Sequence, residues 1–432
     1  MELRNIGPIR RAHIDLSGVT VLVGPNASGK TTLSVASYAA LRSQDDAARR
    51  VLIDAWDQIH PTGGRLPRDA DGQAIDASRL AARFAEFFRD TLSDELKRCW
   101  TPDLTMLPRR GRTGNGAAPR ILVSGETFGD SWTLVFWLRN GRLQLDTRNE
   151  EYKLPSFTTL AEDIAKADPP RTHILRLLNS ESATRGVYMP AGRSGYVQMQ
   201  SLLSALLIHA LGKGYFEHAS VGKIPGTAAD FLQFFANLDA KESSAISPDT
   251  AARLESELLN ASVRMVEQQN ARQIEFSPAG VNEHWPIDTA ATSIAELAPL
   301  ILYIKHGLTA RDFLFIDEPE AHLHPANQLK LASVLFQLSG HINGLVIGTH
   351  SDFFVTGISN ALLQSTATAR RPNQVPLRVY ELRPATRTSG YDGREITVDP
   401  SVGFDIEQFS DVAEAAFDEA DRLYSSAVNA SD

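Results

Sequence analysis

The chain has 432 residues, 43% of them hydrophobic and 22% charged, with a formal net charge of −9 and a single cysteine, Cys99. This length exceeds one simple core, so two lobes or domains are expected. One cysteine excludes an internal disulfide and any cysteine-based zinc site, and the acidic balance argues against a general nucleic-acid coat. The longest apolar runs, residues 201–211 and 297–304, are too short to span a bilayer. Residues 1–6 carry Glu2 and Arg4 without an apolar stretch, so no export signal is expected and the cytoplasm is the economical location.

Residues 3–6, 12–16 and 19–23 read as short strands separated by Gly7-Pro8 and Ser17-Gly18 turns. The third runs into Gly24-Pro25-Asn26-Ala27-Ser28-Gly29-Lys30-Thr31-Thr32, and an Ala- and Leu-rich helix follows. Strand, G-x-x-x-x-G-K-T, helix is a phosphate-binding loop in its proper setting. Its glycines let backbone N–H groups curl around phosphates, and the helix N-terminus adds its positive dipole end. Lys30 is placed to reach the β- and γ-phosphate oxygens and the Thr31 hydroxyl to ligate Mg²⁺. The stretch implies a bound nucleoside triphosphate.

Helices are expected over 33–60 and 76–99, the second with Leu80, Phe84, Phe87, Phe88 and Leu92 on one face. Between Lys97 and Arg120 lie Arg98, Arg109, Arg110 and Arg112 with Asp103 as the lone acid. This strip could contact nucleic acid, or it could be an ordinary solvated loop. From residue 120 the period changes to two: 121–124, 132–138 and 143–146 form an antiparallel meander. Helix is expected over 159–179, a strand near 186–190 that ends in a Pro-Gly loop, then helices over 196–211, 227–239 and 248–268. Strand character returns at 271–276 and 284–289.

The last third alternates strand and helix, which suggests parallel βαβ units. The apolar strand Phe313-Leu314-Phe315-Ile316 runs into Asp317-Glu318-Pro319-Glu320. An aspartate at a strand end holds Mg²⁺ beside phosphates, and the carboxylate after it can polarise an attacking water. Helix is expected over 325–339, a strand over 344–348 ending at Thr349-His350-Ser351, and a helix over 351–365. Strands at 376–383 and 394–398 and an acidic amphipathic helix over 406–426 complete the chain. His350 sits where ligand sites gather in open α/β sheets. A strand-end histidine can be a structural hydrogen-bonder; its spacing after Asp317-Glu318 favours a γ-phosphate sensor.

G-P-N-A-S-G-K-T-T, L-F-I-D-E-P-E-A-H-L-H-P and V-I-G-T-H-S together resemble the ABC-type ATPases of the SMC and OLD group. Within that group the layout is similar to the compact prokaryotic AAA ATPases of anti-phage defence, as are the Met189-Pro190-Ala191-Gly192-Arg193-Ser194 loop and the acidic C-terminal helix. The resemblance implies an α/β, ABC/SMC-like P-loop ATPase head with an antiparallel β subdomain and an inserted helical lobe. It divides the chain into 1–175 with the phosphate loop and meander, 176–295 as a helical lobe, and 296–432 with Asp317, Glu318 and His350. It also implies ATP and Mg²⁺ as ligands, with Thr31 and Asp317 on the metal and Glu318 and His350 catalytic.

In that family two subunits sandwich two nucleotides, each phosphate loop facing a signature segment of the other subunit. The matching stretch is Thr292-Ser293-Ile294-Ala295-Glu296-Leu297, which keeps Ser293 but lacks the glycines of L-S-G-G. Ser293 could meet a phosphate across the interface, and Ser293 with Glu296 three residues on could equally be a capping box. Ala321-His322-Leu323-His324-Pro325 resembles the D-loop, and Gln198 or Gln200 is the nearest match to the glutamine loop. No sustained heptads separate Lys30 from Asp317, so no coiled-coil arm is expected. The stretch after Ser351 leaves little room for the TOPRIM nuclease domain of OLD proteins. The resemblance therefore implies a self-associating ATPase that controls a separate effector protein. A repair ATPase acting directly on DNA is the alternative, and no membrane partner is expected.

Overall fold

In the computed structural model, which describes residues 1–59, 75–100, 103–107, 118–167, 170–178, 184–198, 224–239, 248–268, 271–367, 375–385 and 389–429, most strands enter one eleven-stranded sheet. Its strands are β1 (Glu2–Ile6), β2 (Ile9–His13), β3 (Gly18–Val23), β4 (Arg120–Thr127), β5 (Asp130–Arg139), β6 (Arg142–Leu145), β7 (Arg185–Met189), β11 (Asp312–Asp317), β12 (Gly344–Thr349), β13 (Leu377–Pro384) and β14 (Tyr391–Ile396). The order is β6-β5-β4-β1-β2-β14-β13-β3-β12-β11-β7. A separate three-stranded sheet holds β8 (Ala261–Gln268), β9 (Ala271–Pro278) and β10 (Trp285–Pro286).

From β13 through β3, β12 and β11 to β7 every neighbour is parallel. The central strands β3, β11 and β12 are buried on both faces, so their sequences read as nearly continuous apolar runs. Alternate side chains still divide between two cores. Leu22, Phe313, Phe315 and Val346 enter one, while Val19, Val21, Val23, Leu314, Ile316, Leu345 and Ile347 enter the other. The first core is roofed by α1 (Lys30–Ile59) and α2 (Ala77–Cys99), the second by α8 (Thr292–Leu302), α9 (Pro325–Leu338) and α10 (Asp352–Ala367). Of the stripe expected on α2, Leu80, Phe84, Phe88 and Leu92 are buried. Phe88 stacks on Phe136 of the meander at 5.9 Å, whereas Phe87 is only partly buried and lies beneath Arg83 at 4.4 Å. The meander extends the main sheet through the antiparallel pairing of β4 with β1.

The other helices are α3 (Thr158–Lys166), α4 (Pro170–Leu178), α5 (Arg193–Gln198), α6 (Gly226–Asn237), α7 (Pro248–Arg253) and α11 (Glu407–Asn429). None of the described helices is long and apolar enough to cross a membrane.

Several expectations fail locally: the strand expected over 284–289 is only Trp285–Pro286 before a 3-10 turn, and the helix expected over 159–179 is two helices. The second strand is Ile9–His13 rather than 12–16, because the hairpin closes tightly at Gly7-Pro8 with Ile6 opposite Ile9. The helix expected over 248–268 stops at Leu259, where Asn260 adopts a left-handed φ of 50°. Residues 261–268 instead pair antiparallel with 271–278, and the alternation of Ala261, Val263 and Met265 is the period-two signal for that strand. Arg109, Arg110, Arg112 and Gln200 lie outside the described residues, as does most of the helix expected over 196–211.

Candidate functional site

The parallel register places the ends of three neighbouring strands side by side. Val23 of β3 lies opposite Thr349 of β12, and Gly348 lies opposite Asp317 of β11. The loop after β3, the acidic turn after β11 and the histidine loop after β12 therefore open at one edge, the carboxyl edge where open α/β sheets hold ligands.

Gly29 has φ 107°, and a Cβ there would meet Ile9 Cδ1 at 2.4 Å and Pro8 Cγ at 3.0 Å. The β1–β2 hairpin thus packs on the phosphate loop, and only glycine fits. Lys30 is 6% exposed and its Nζ donates to the carbonyls of Gly24 at 2.8 Å and Pro25 at 3.0 Å. Burial lowers its pKa, and the carboxylates of Glu318, Asp317 and Glu320 oppose that shift. Gly24, Pro25, Asn26, Ala27 and Ser28 complete the loop, Ala27 in the left-handed region with φ 61°, and Thr31 and Thr32 start α1. The Ser28 hydroxyl is buried without a hydrogen-bond partner among the described residues.

Asp317 is buried at the end of β11. Tyr188 of β7 donates its hydroxyl to Asp317 Oδ2 at 2.7 Å, while Oδ1 has no well-aligned hydrogen-bond partner among the described residues. Burial raises the pKa of Asp317, and the hydroxyls of Tyr188, Thr31 and Ser34 beside it favour the charged form. Gly348 makes room for this group: a Cβ there would lie 2.9 Å from Asp317 Oδ1 and 3.7 Å from Lys30 Cβ. An orphaned buried carboxylate oxygen with a threonine hydroxyl beside it is a hard oxygen set. It fits Mg²⁺, which takes one or two protein carboxylates together with substrate phosphates.

Glu318 follows with φ 47°, and its N–H donates to Gly348 O at 2.7 Å. Its Oε1 lies 3.4 Å from His350 Nδ1, and both side chains are about half exposed. Behind them, Glu320 is buried and accepts from the Thr349 hydroxyl at 2.5 Å and from His350 N–H at 3.3 Å. Burial raises the pKa of Glu320, with the hydrogen bond from Thr349 opposing. One carboxylate thus anchors the histidine loop while another faces solvent beside the imidazole. That arrangement can bind phosphates and a metal, activate a water and meet developing charge on a phosphoryl group.

The structure brings Lys30, Thr31, Asp317, Glu318 and His350 to one edge. Ser293 stands apart, half-buried in the first turn of α8. The capping box does not form: the N-cap residue is Ala291, with no side-chain cap, and Glu296 is fully buried against Arg193. His324 caps α9, its Nδ1 accepting from Ala326 N–H at 3.3 Å, and His322 has φ 62°. Gln198 ends α5, and it is Gln328 that reaches the histidine loop, accepting from the Ser351 hydroxyl. Sequence reasoning passed over Tyr188, Glu296, Glu320 and Gly348 as site residues. The second glutamate of Asp-Glu-Pro-Glu was a readable signal for one of them.

An AAA ATPase domain model matches residues 228–355, a span that holds Ser293, Asp317, Glu318 and His350 but not the phosphate loop. No curated protein matches the sequence. Among solved structures, the SmcHead bound to the C-winged helix domain of ScpA is 14% identical with a TM-score of 0.42, covering 92% of this chain and 97% of that one. The Smc head domain with an extended coiled coil bound to the C-terminal domain of ScpA derived from Pyrococcus furiosus is 13% identical with a TM-score of 0.39, covering 96% and 98%. The SMC head domain from Thermotoga maritima is 12% identical with a TM-score of 0.37, covering 92% and 98%.

Proposed function

We propose that the chain binds ATP with Mg²⁺ and hydrolyses it. The observation that carries this reading is the convergence of Lys30, Asp317, Glu318 and His350 at the ends of β3, β11 and β12, around Gly348. Lys30 and the amides of residues 24–30 bind the phosphates, and Thr31 with Asp317 would hold the metal. Mg²⁺, when bound, neutralises charge on the β- and γ-phosphates. Glu318 takes the proton of the attacking water, and His350 donates to the transferred phosphoryl group as its charge shifts.

The same reading includes nucleotide-dependent pairing of two copies, each supplying the start of α8 to the other's phosphates. The uncapped first turn of α8, with Ser293 half-buried in it, supports this, because such amides suit a phosphate. Control of a separate effector in anti-phage defence rests on the motif resemblance alone; the basic strip between Lys97 and Arg120, much of it outside the described residues, is the feature that speaks for the DNA-repair alternative.

Glu318→Gln tests the chemistry. It keeps size and hydrogen bonding but removes the base, so ATP binding should persist while turnover falls by about 10²-fold or more. Near-normal turnover in that variant would defeat the assignment. Sizing of the same variant with ATP and Mg²⁺ tests the pairing: a larger or more compact species is expected, and no change would defeat it.

A further inference from the structure

Arg193 is the most heavily bonded charged residue near the site that the proposed chemistry does not use. It opens α5 directly after the Pro190-Ala191-Gly192 loop and is 1% exposed. Its Nη1 donates to Asp317 O at 2.9 Å and to Pro190 O at 3.2 Å, and its Nη2 to Glu318 O at 3.3 Å. On its other side Nη2 lies 2.9 Å from Glu296 Oε1, and Nε donates to Glu296 O at 3.3 Å. The Glu296 carboxylate also accepts from the N–H groups of Arg193 at 3.2 Å and Ser194 at 3.0 Å.

A buried ion pair is weak evidence for stability, since well-packed apolar residues often serve as well. What the guanidinium supplies is geometry. Its fork grips two successive carbonyls, those of Asp317 and Glu318, where the backbone turns left-handed. A non-glycine residue held in that region is strained and persists only where its surroundings over-determine it. Here they are Arg193 on the carbonyl side and Gly348 O on the amide side. The other end of the contact is Glu296, less than one helical turn after Ser293 on a rigid helix.

We propose that Arg193 is a positioning residue for Glu318, and that through Glu296 it joins the acidic turn to the start of α8 as one mechanical unit. This rests on the ATPase reading for its catalytic consequence, though not for its structural one. A shift of the α8 start would then reach the Glu318 backbone through the guanidinium, without passing through the nucleotide.

Arg193→Lys tests it in the full-length chain. Lysine keeps the charge facing Glu296 but cannot fork to two carbonyls. Fluorescent-ATP affinity should stay within about twofold while kcat falls about tenfold or more, the scale of a small misplacement of a reacting group. Hydrogen exchange over residues 317–323, read without nucleotide, should accelerate in the variant while global unfolding moves little. Rates close to the parent, or affinity and kcat falling together, would overturn the proposal. Unchanged exchange with lost turnover would overturn it too and leave the ATPase reading standing. A parent protein without ATPase activity would sink that reading, and the exchange arm would still decide the positioning role. If Arg193→Lys does not fold, Glu296→Gln carries the same two readouts. It keeps an acceptor for the Arg193 and Ser194 amides while removing the charge, and parental values in both would overturn the proposal.

Discussion

Tyr188→Phe is the most selective perturbation of the site. The ring is fixed without its hydroxyl: it stacks on Phe315 at 6.0 Å and meets Tyr38 edge-on at 5.2 Å, so phenylalanine would stay in place. The change therefore removes one donor, the 2.7 Å hydrogen bond to Asp317 Oδ2, inside a buried pair. Hydrogen bonds to charged groups contribute about 1.5–3 kcal/mol, and without Tyr188 the buried carboxylate keeps only the Thr31 and Ser34 hydroxyls beside it. Burial already raises the pKa of Asp317 and the Tyr188 hydroxyl opposes that rise, so the pKa should climb further in the variant. The sign for stability follows. A carboxylate with a raised folded-state pKa penalises folding fully above that pKa, and the penalty is relieved as pH falls through it. The loss of unfolding free energy, about 1.5–3 kcal/mol by denaturant titration, should thus be largest at neutral pH and shrink in mild acid. A metal needs the ionised carboxylate, so the Mg²⁺ midpoint for nucleotide binding should worsen more steeply on acidification than in the parent. An unchanged unfolding free energy together with a parental pH dependence of the Mg²⁺ midpoint would refute the reasoning.

Lys30→Ala removes the ammonium held at the Gly24 and Pro25 carbonyls. ATP affinity should fall by about 1.5–3 kcal/mol, roughly 10- to 150-fold, and a titration at parental affinity would refute the phosphate-loop role. Gly348→Ala places a methyl 2.9 Å from Asp317 Oδ1 in a strand where alanine itself is allowed. The carboxylate must turn aside, so Mg²⁺-dependent nucleotide binding should weaken about 10- to 100-fold with the fold intact. An unchanged Mg²⁺ midpoint would show that Asp317 Oδ1 does not face the metal.

Much of the molecule is written in short-range patterns. The β-branched run 19–23, the glycines of the loop and the helix after it are local statements, and the structure keeps all three. The apolar strand ending in Asp317, the proline at the start of α9 and the two-residue period of the meander are equally local. Where two local signals competed, tertiary pairing chose. Residues 261–268 could continue a helix, and the partner strand 271–278 took them into a sheet instead. Strand order was not in the pattern at all, and it decides which side chains meet. Tyr188 and Asp317, 129 residues apart, touch because β7 lies beside β11. Arg193 and Glu296, 103 residues apart, pair because α5 packs on α8, which turned an apparent capping glutamate into a buried counter-ion. The chain alone thus specified the groups proposed to handle phosphate, because loop and strand-end chemistry is carried by neighbours in sequence. What orients those groups is set by contacts between distant segments, whose energies exist only once the sheet order is formed.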